Sequence, residues 1–259
     1  NMTRECGFEY EVHGNGGQVA IELGQLGAIP SPPRLHNYHC SCNTCDYRNN
    51  DYLFAAQHDC SVSAEFVSKV LEFGTGRMDS AIKTITTASM KANADLTHDS
   101  GMHVHVSQAG LDFHGNQRLC RLFARYSRTL AHLAAGPREQ VRAYNGPRPV
   151  WSGGGNLNGC GSWLSNHSDS TDTWEFRLWN ATKMPWRIHL ALGISVAMVN
   201  AAVDGVEVRP PGPKGRRFST LLAPYWDSKT ETAYWRQLEF RGHGKNQASV
   251  DNRPDDGGE

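Results

Sequence analysis

The sequence has no excess of charge of either sign. Its 259 residues contain 26 Lys and Arg against 26 Asp and Glu, and its pI is about 7.3. Non-specific binding to nucleic acid or to an anionic membrane needs a basic excess, so this balance argues against both. No window approaches 18 apolar residues, so no transmembrane span is predicted. A signal-peptide pattern and internal repeats are also lacking, which favours a cytoplasmic globular protein.

Cysteine is scarce and odd in number: there are seven, and three crowd into the stretch CSCNTC. This usage argues against a secreted disulfide framework and favours a reducing compartment with a metal-binding loop. The thiols that can together hold a structural zinc ion are Cys40, Cys42, Cys45 and Cys60. Reduced, unliganded cysteines or a redox pair explain the same loop. Cys6, Cys120 and Cys160 are expected to be ordinary small apolar residues.

The apolar pattern switches between period two and helical spacing along the chain. Five stretches predict strands: residues 6–14, 18–23, 63–71, 102–107 and 172–180. Three stretches predict helices: residues 78–94, 116–134 and 186–203. Their order lacks the regular strand–helix alternation that builds a parallel sheet. We therefore expect an α+β fold with a mainly antiparallel, curved sheet backed by helices on one face.

Composition predicts one domain over residues 1–243, with two irregular segments inside it. An insertion at about residues 34–60 is rich in Pro, Asn, His and Cys, and a basic, Gly-rich loop spans residues 136–156. The stretch WSGGGNLNG in this loop lacks the Lys and Ser/Thr of a P-loop, so it is predicted to be a flexible loop. Residues 244–259 are expected to form a disordered tail.

Three predicted strands carry polar residues two positions apart, a spacing that places both side chains on one face of a sheet. These pairs are Glu9 with Glu11, His103 with His105, and Glu175 with Arg177. A fourth stretch contributes Asp59 and Glu65. Buried carboxylates on one face repel each other and take up protons, unless a divalent cation such as Mg²⁺ or Mn²⁺ neutralises them. An arginine on that face suits a phosphate group.

Each polar pair also has an ordinary explanation when it is taken alone. Two glutamates in alternation are typical of a solvated strand face, and two histidines can be structural or incidental. A glutamate and an arginine in alternation are typical of a cross-strand ion pair. Four such groups on successive predicted strands are harder to explain as solvated edges. The combination therefore predicts a site for a divalent cation and phosphate.

The motifs that carry these residues resemble a known family. SGMHVHVS (100–107) resembles the histidine signature of the glutamine synthetase catalytic domain. GFEYE, DCSVSAEFVS and TWEFRLWNAT resemble the other motifs of the amidoligase family, a divergent branch of the glutamine synthetase and glutamate–cysteine ligase-like carboxylate–amine ligases. The ordered set runs from about Cys6 to Thr182. Cys60 stands where the family usually has Gly, and Lys69 where it usually has Pro, but neither change removes a ligand.

The resemblance implies a glutamine synthetase-like catalytic domain and a role for each matching residue. The implied acidic metal ligands are Glu9, Glu11, Asp59, Glu65 and Glu175. His103 resembles the histidine that contacts a metal or the nucleotide phosphates, and His105 is expected beside the nucleotide. Arg177 resembles the arginine that stabilises the transferred phosphoryl group. Arg138 and Arg142, on the basic loop, are assigned a further phosphate- or carboxylate-binding role.

The activity implied by the resemblance is ATP- and Mg²⁺- or Mn²⁺-dependent ligation of a carboxylate to an amine through an acyl phosphate. The implied substrates are small-molecule, peptide or modified-base carboxylates and amines. Two alternatives belong to other classes. One is a non-catalytic, zinc-stabilised binding or adaptor protein on a ligase-like scaffold. The other is a metal-dependent phosphohydrolase that uses the histidines and carboxylates directly.

Overall fold

The computed structural model describes residues 3–36, 51–58, 62–97, 100–134, 163–166, 171–207 and 217–240. The strands within these ranges are β1 (Glu5–Val12), β2 (Phe54–Gln57), β3 (Ala64–Ser68), β4 (Leu71–Glu72), β5 (Gly101–Ser107), β6 (Leu164–Asn166) and β7 (Thr173–Asn180). The helices are α1 (Gly16–Gln25), α2 (Gly76–Lys91), α3 (Phe113–Arg125), α4 (Ser127–Ala134), α5 (Pro185–Val203), α6 (Phe218–Leu222) and α7 (Ser228–Phe240).

The seven strands form one sheet in the order β2-β3-β1-β5-β7-β6, with β4 paired to β1 beside β3. Every pair is antiparallel. The register shifts by one residue between β5 and β7, next to Met102 and Val104. The prediction of an α+β fold with an antiparallel sheet backed by helices is therefore confirmed.

One face of the sheet is apolar and supports the helical layer. Phe8, Tyr10, Val104 and Phe176 are each at most 1% exposed, and they belong to three central strands. Helix α5 contacts β1 and β5, and α2, α3 and α7 pack against α5. The alternation in these strands sends the neighbouring polar side chains to the opposite face.

Helix α5 forms the centre of the helical layer. By length and composition alone it is the one described helix that could cross a membrane, with a window of mean hydropathy 1.4. This differs from the expectation that no stretch of the chain comes near such a length. Within the structure 89% of that window is buried. A core helix packed on all sides has the same composition.

The strand predicted at residues 18–23 is wrong, because this segment lies in α1. Val19, Ala20 and Leu23 are buried on one side of the helix, which is helical spacing rather than alternation. The first residue of the helix packs closely against β3: a Cβ added to Gly16 would lie 2.5 Å from the Cβ of Ala64. The short apolar run fitted both periods, and packing against β3 and α2 selects the helix.

Two further predictions need correction. The helix predicted at 116–134 is divided into α3 and α4 at Tyr126, whose φ of −110° and ψ of 17° leave the helical region. The insertion at about 34–60 contains strand β2, which pairs with β3 and so belongs to the sheet. The rest of this insertion from 37 to 50, the basic loop at 136–156 and the tail at 244–259 lie outside the described residues.

Candidate metal centre

Strand register brings polar side chains of β1, β3, β5 and β7 onto one face of the sheet. Residues directly opposite each other in antiparallel strands share a face, with Cβ atoms about 4.5–5.5 Å apart. The opposing pairs are Glu9 with His103, Glu11 with Glu65, and His105 with Glu175. Six of the predicted site residues therefore meet in one cluster, which we call the sheet cluster: Glu9, Glu11, Glu65, His103, His105 and Glu175.

His103 lies at the middle of the sheet cluster and faces three carboxylates. Its Nδ1 is 2.9 Å from Glu9 Oε2 and 3.2 Å from Glu175 Oε1. Its Nε2 is 3.4 Å from Glu11 Oε1. The residue is 3% exposed, so these contacts form away from bulk water. His103 is therefore the centre of a buried network of polar contacts with carboxylates.

His105 and Arg177 form the more exposed edge of the cluster. His105 Nε2 lies 3.2 Å from Glu9 Oε1, and its Nδ1 lies 3.3 Å from Thr173 Oγ1. Arg177 Nη1 donates to Glu175 Oε1 at 2.8 Å while 41% of the arginine side chain stays exposed. Arg177 thus contacts the cluster through Nη1, while part of its side chain stays accessible to solvent. This geometry suits a second, external anion.

Hydrogen bonds from neighbouring groups hold Glu11 and Glu65 at the other end of the cluster. The Gly101 backbone N–H donates to Glu11 Oε2 at 2.7 Å, and Gln57 Nε2 donates to Glu65 Oε2 at 2.6 Å. Sequence reasoning missed Gln57 because β2 lies in a segment that was predicted to be irregular. The alternating stretch FAAQ was the available signal.

The two histidines control the protonation of their glutamate neighbours. Burial lowers the pKa of His103, but hydrogen bonds to Glu175 and Glu9 reverse that effect and raise it to about 9. Burial alone would raise the pKa of Glu175, yet the hydrogen bond and charge of His103 lower it to about 2. The hydrogen bonds of His103 and His105 likewise hold the pKa of Glu9 well below its usual range, against the effect of burial.

Glu65 behaves in the opposite way from the other glutamates. Burial and the nearby charge of Glu9 raise the pKa of Glu65 to about 8, despite the hydrogen bond from Gln57. At neutral pH this carboxyl therefore keeps its proton, which relieves part of the repulsion within the cluster. A divalent cation would displace such protons, since metal ligands bind in their deprotonated form.

The cluster contains two overlapping sets of atoms that can hold a cation. The first set is Glu9, His105 and Glu175, and the second is Glu9, Glu65 and His103. In each set the ligand atoms lie within 4.8 Å of one another. Carboxylate-rich sets suit Mg²⁺ and Mn²⁺, and the imidazole ligands suit Mn²⁺ better than Mg²⁺. Glu9 belongs to both sets, so a cation in either one would need its carboxylate.

Several predicted site residues lie outside the described part of the chain. They are Asp59, Arg138, Arg142 and the four cysteines assigned to zinc, Cys40, Cys42, Cys45 and Cys60. Their roles stay predictions. Of the cysteines within the described ranges, Cys6 is a buried free thiol, and burial raises its pKa to about 12. Cys120 is disulfide-bonded, which corrects the expectation that it is an ordinary apolar residue.

A second group of histidine and carboxylates, which sequence reasoning missed, lies in the helical layer. His189 Nε2 is 3.3 Å from Asp227 Oδ1, and its Nδ1 is 3.9 Å from Asp79 Oδ1. Asp227 also accepts from the Thr230 backbone N–H at 2.7 Å, and Asp79 accepts from Lys229. We call His189, Asp79, Asp227 and Lys229 the helix cluster. The only signal for it was a histidine inside the apolar stretch WRIHLAL.

Comparison with protein families and with curated proteins finds no family model and no curated protein that matches this sequence significantly. The resemblance of the motifs to carboxylate–amine ligases therefore stays a prediction. The sheet cluster combines four carboxylates and two imidazoles on one sheet face, beside the partly exposed side chain of Arg177.

Proposed function

We propose that this protein is an ATP- and Mg²⁺- or Mn²⁺-dependent carboxylate–amine ligase with a catalytic domain like that of glutamine synthetase. The observation that carries the proposal is the sharing of Glu9 between two overlapping cation-ligand sets beside an exposed arginine. Such a site suits a polyphosphate, because cations and a guanidinium neutralise the charge that develops during phosphoryl transfer.

The residues of the sheet cluster fit divalent cations chemically. Glu9, Glu65 and His103 would hold one cation, and Glu9, His105 and Glu175 a second. Burial and the charge of Glu9 raise the pKa of Glu65 to about 8, and a cation bound there would take the place of its proton. When bound, the cations would supply charge neutralisation for the phosphates of ATP.

Arg177 is the proposed phosphoryl-stabilising residue. The contact with Glu175 orients its guanidinium, and the charge of Glu175 raises the pKa of Arg177 despite partial burial. Because 41% of the arginine side chain is exposed, the N–H groups that Glu175 does not occupy can donate to phosphate oxygens. Arginine suits this task because its planar donor fork matches phosphate geometry.

The proposed reaction has two steps. A substrate carboxylate oxygen attacks the γ-phosphorus, the bond between that phosphorus and the bridging oxygen breaks, and ADP leaves. The amine nitrogen then attacks the acyl carbon, the bond from carbon to the phosphate oxygen breaks, and inorganic phosphate leaves with loss of one amine proton. The carboxylate and the amine are proposed to be small molecules, peptides or modified bases.

A metal-dependent phosphohydrolase is the second candidate, favoured by the same histidine and carboxylate ligands. In that case water replaces the substrate carboxylate as the nucleophile. The two candidates differ in whether an acceptor is needed and in whether an acyl phosphate forms. A non-catalytic adaptor predicts neither, and it does not explain why four carboxylates converge on one face.

The test is ADP release from ATP with Mn²⁺ or Mg²⁺ across a panel of amino acids, dicarboxylates and polyamines. Hydroxylamine is added to trap an acyl phosphate as a hydroxamate, which mass spectrometry detects. The variant Glu9→Gln is compared with the matched control Glu5→Gln, which changes an exposed glutamate on the same strand. We expect hydroxamate with the unchanged chain and with Glu5→Gln, and none with Glu9→Gln.

Three results would count against the ligase. ADP release that needs no acceptor and yields no hydroxamate would favour the phosphohydrolase. Absence of cation binding by the unchanged chain would remove the basis of both enzymes. Full ligation by Glu9→Gln would show that the site assignment is wrong, because that residue belongs to both cation sets.

A further inference from the structure

A cavity of about 560 Å³ opens between α2, α5 and α7 in the helical layer. No residue of the sheet cluster lines it, so it is separate from the candidate metal centre. Its volume falls within the range of small-molecule sites, roughly 300–1,000 Å³. Most of its lining surface is apolar and is contributed by residues such as Ile82, Pro185, Trp186 and Ala233.

The charges at the cavity are unequal. Three cationic side chains, Lys83, Lys229 and Arg236, line it beside one carboxylate, that of Asp79. Lys229 donates to Asp79, so these two charges cancel. Within the described part of the chain, neither Lys83 nor Arg236 forms an ion pair with a carboxylate. Two uncompensated cations, one on α2 and one on α7, therefore border an apolar space.

Arg236 is held in place by an aromatic ring rather than by a carboxylate. Its guanidinium carbon lies 4.8 Å from the centroid of the Trp186 ring, within the range of a cation–π contact. Trp186 itself packs against Phe240, with ring centroids 6.0 Å apart. A cation–π contact orients the guanidinium and leaves its N–H donors available to an anion.

We propose that this cavity binds a small carboxylate with a planar apolar body, such as an aromatic carboxylic acid. The apolar floor and the Trp186 ring accept the ring of the ligand. Lys83 and Arg236 bind its carboxylate. An inorganic anion alone would leave the apolar floor uncovered, and a neutral ring would leave both cations without a partner. The proposal does not depend on the ligase activity.

The test uses 1-naphthoate as the probe, with binding to the full chain measured by isothermal titration calorimetry. 1-Naphthamide has the same ring without the charge, and inorganic phosphate supplies charge without a ring. The double variant Lys83→Gln, Arg236→Gln removes both cations. Its matched control, Arg77→Gln with Lys91→Gln, removes two cations of α2 that do not line the cavity. Thr232→Trp places a bulky ring on the lining.

We expect one naphthoate to bind per chain, and binding to weaken about tenfold in the double variant, the effect of two exposed charge contacts. The control variant should bind as the unchanged chain does, and Thr232→Trp should not bind. Naphthamide should bind at least about tenfold more weakly, and phosphate should not compete. The proposal is overturned if naphthoate does not saturate, if both double variants bind equally, or if phosphate binds as tightly as naphthoate.

Discussion

The sheet cluster and the helix cluster each bury a histidine among carboxylates. The two clusters differ in the other interactions that these carboxylates make. The side chains of His103 and His189 are 4% and 8% exposed. His103 contacts three glutamates, whereas His189 contacts two aspartates. Burial and the presence of acidic neighbours are thus common to both, so neither property distinguishes a functional site.

The distinguishing property is a surplus of carboxylates. In the helix cluster Asp79 is paired with Lys229, and Asp227 accepts from the backbone of the first turn of α7. These interactions give both aspartates a structural task. In the sheet cluster four glutamates face two histidines and one arginine, and one glutamate keeps its proton. Within the described ranges, the cation-ligand sets occur only in the sheet cluster.

The largest effect is expected from Glu9→Gln, which breaks both cation sets. Mn²⁺ affinity, measured by calorimetry or by electron paramagnetic resonance, should fall by about 100-fold or more, because even neighbours of metal ligands contribute about 10–100-fold. Asp79→Asn in the helix cluster should leave Mn²⁺ affinity unchanged. An equal loss in both variants would erase the distinction between the clusters.

The residue types of the sheet cluster were predictable from the sequence, but their mutual contacts were not. In the sequence, polar and apolar residues alternate through His103 and His105 in β5 and around Glu175 in β7, so these three residues are assigned to the correct strand face despite the register shift between the two strands. Which glutamate lies opposite which histidine depends on strand order and register, and sequence period does not determine these. The pairing of Glu9 with His103 therefore emerged only from the structure.

The features that the sequence did not reveal depend on contacts between distant parts of the chain. Residues 18–23 are a short apolar run that fits a strand or a helix, and contact with β3 and α2 decides for the helix. Gln57 lies on a strand of four residues that is too short to show a clear period. His189 was read as part of a buried apolar helix, because its aspartate partners lie on α2 and immediately before α7.

Glu65→Gln is expected to give the next largest effect. It should raise the stability of the fold and weaken the binding of a cation. In the unfolded chain this carboxyl ionises near its ordinary pKa of 4.5, whereas burial raises the folded value to about 8. Stability is therefore lost as pH rises from about 4.5 to 8. Glutamine cannot ionise. At pH 9 without divalent cation, the free energy of unfolding of the variant should therefore exceed that of the unchanged chain by more than about 1 kcal/mol.

The same variant should bind Mn²⁺ more weakly, since it loses a ligand of one cation set. Urea unfolding at pH 5 and pH 9 and Mn²⁺ titration test the two halves separately. A lower stability at pH 9 would show that Glu65 is ionised and held by neighbours. Gain of stability with loss of binding is the behaviour of a site that is kept for function rather than for folding.

Asp227 of the helix cluster should show the pattern of a structural residue. Asp227→Ala should lower the free energy of unfolding by about 1 kcal/mol, because it removes the acceptor for the first turn of α7. Asp227→Asn should lower the free energy of unfolding by a smaller amount, because asparagine caps helices as well as aspartate does. Neither variant should change Mn²⁺ affinity. A loss of affinity comparable to that of Glu9→Gln would place this cluster in the metal site.

The pH dependence of Asp227 has the opposite direction from that of Glu65. Burial would raise the pKa of Asp227, but hydrogen bonds from His189 and Thr230 hold it below its ordinary value of 3.8. The stability from its charge is thus complete above about pH 4 and is lost as pH falls through the folded pKa. The difference in unfolding free energy between the unchanged chain and Asp227→Asn should shrink from pH 7 to pH 3.

The smallest effect is expected from Lys229→Gln, which breaks the exposed pair with Asp79 at the mouth of the cavity. The lysine and aspartate side chains are 60% and 40% exposed, so solvent screens their attraction. Stability should change by less than about 1 kcal/mol, and the change should vanish in high salt. Urea unfolding at 0.05 M and 1 M NaCl measures this. A larger, salt-resistant loss would mean that breaking the pair of Lys229 and Asp79 also weakens the contact of Asp79 with His189. The helix cluster would then be a cooperative network rather than a set of independent contacts.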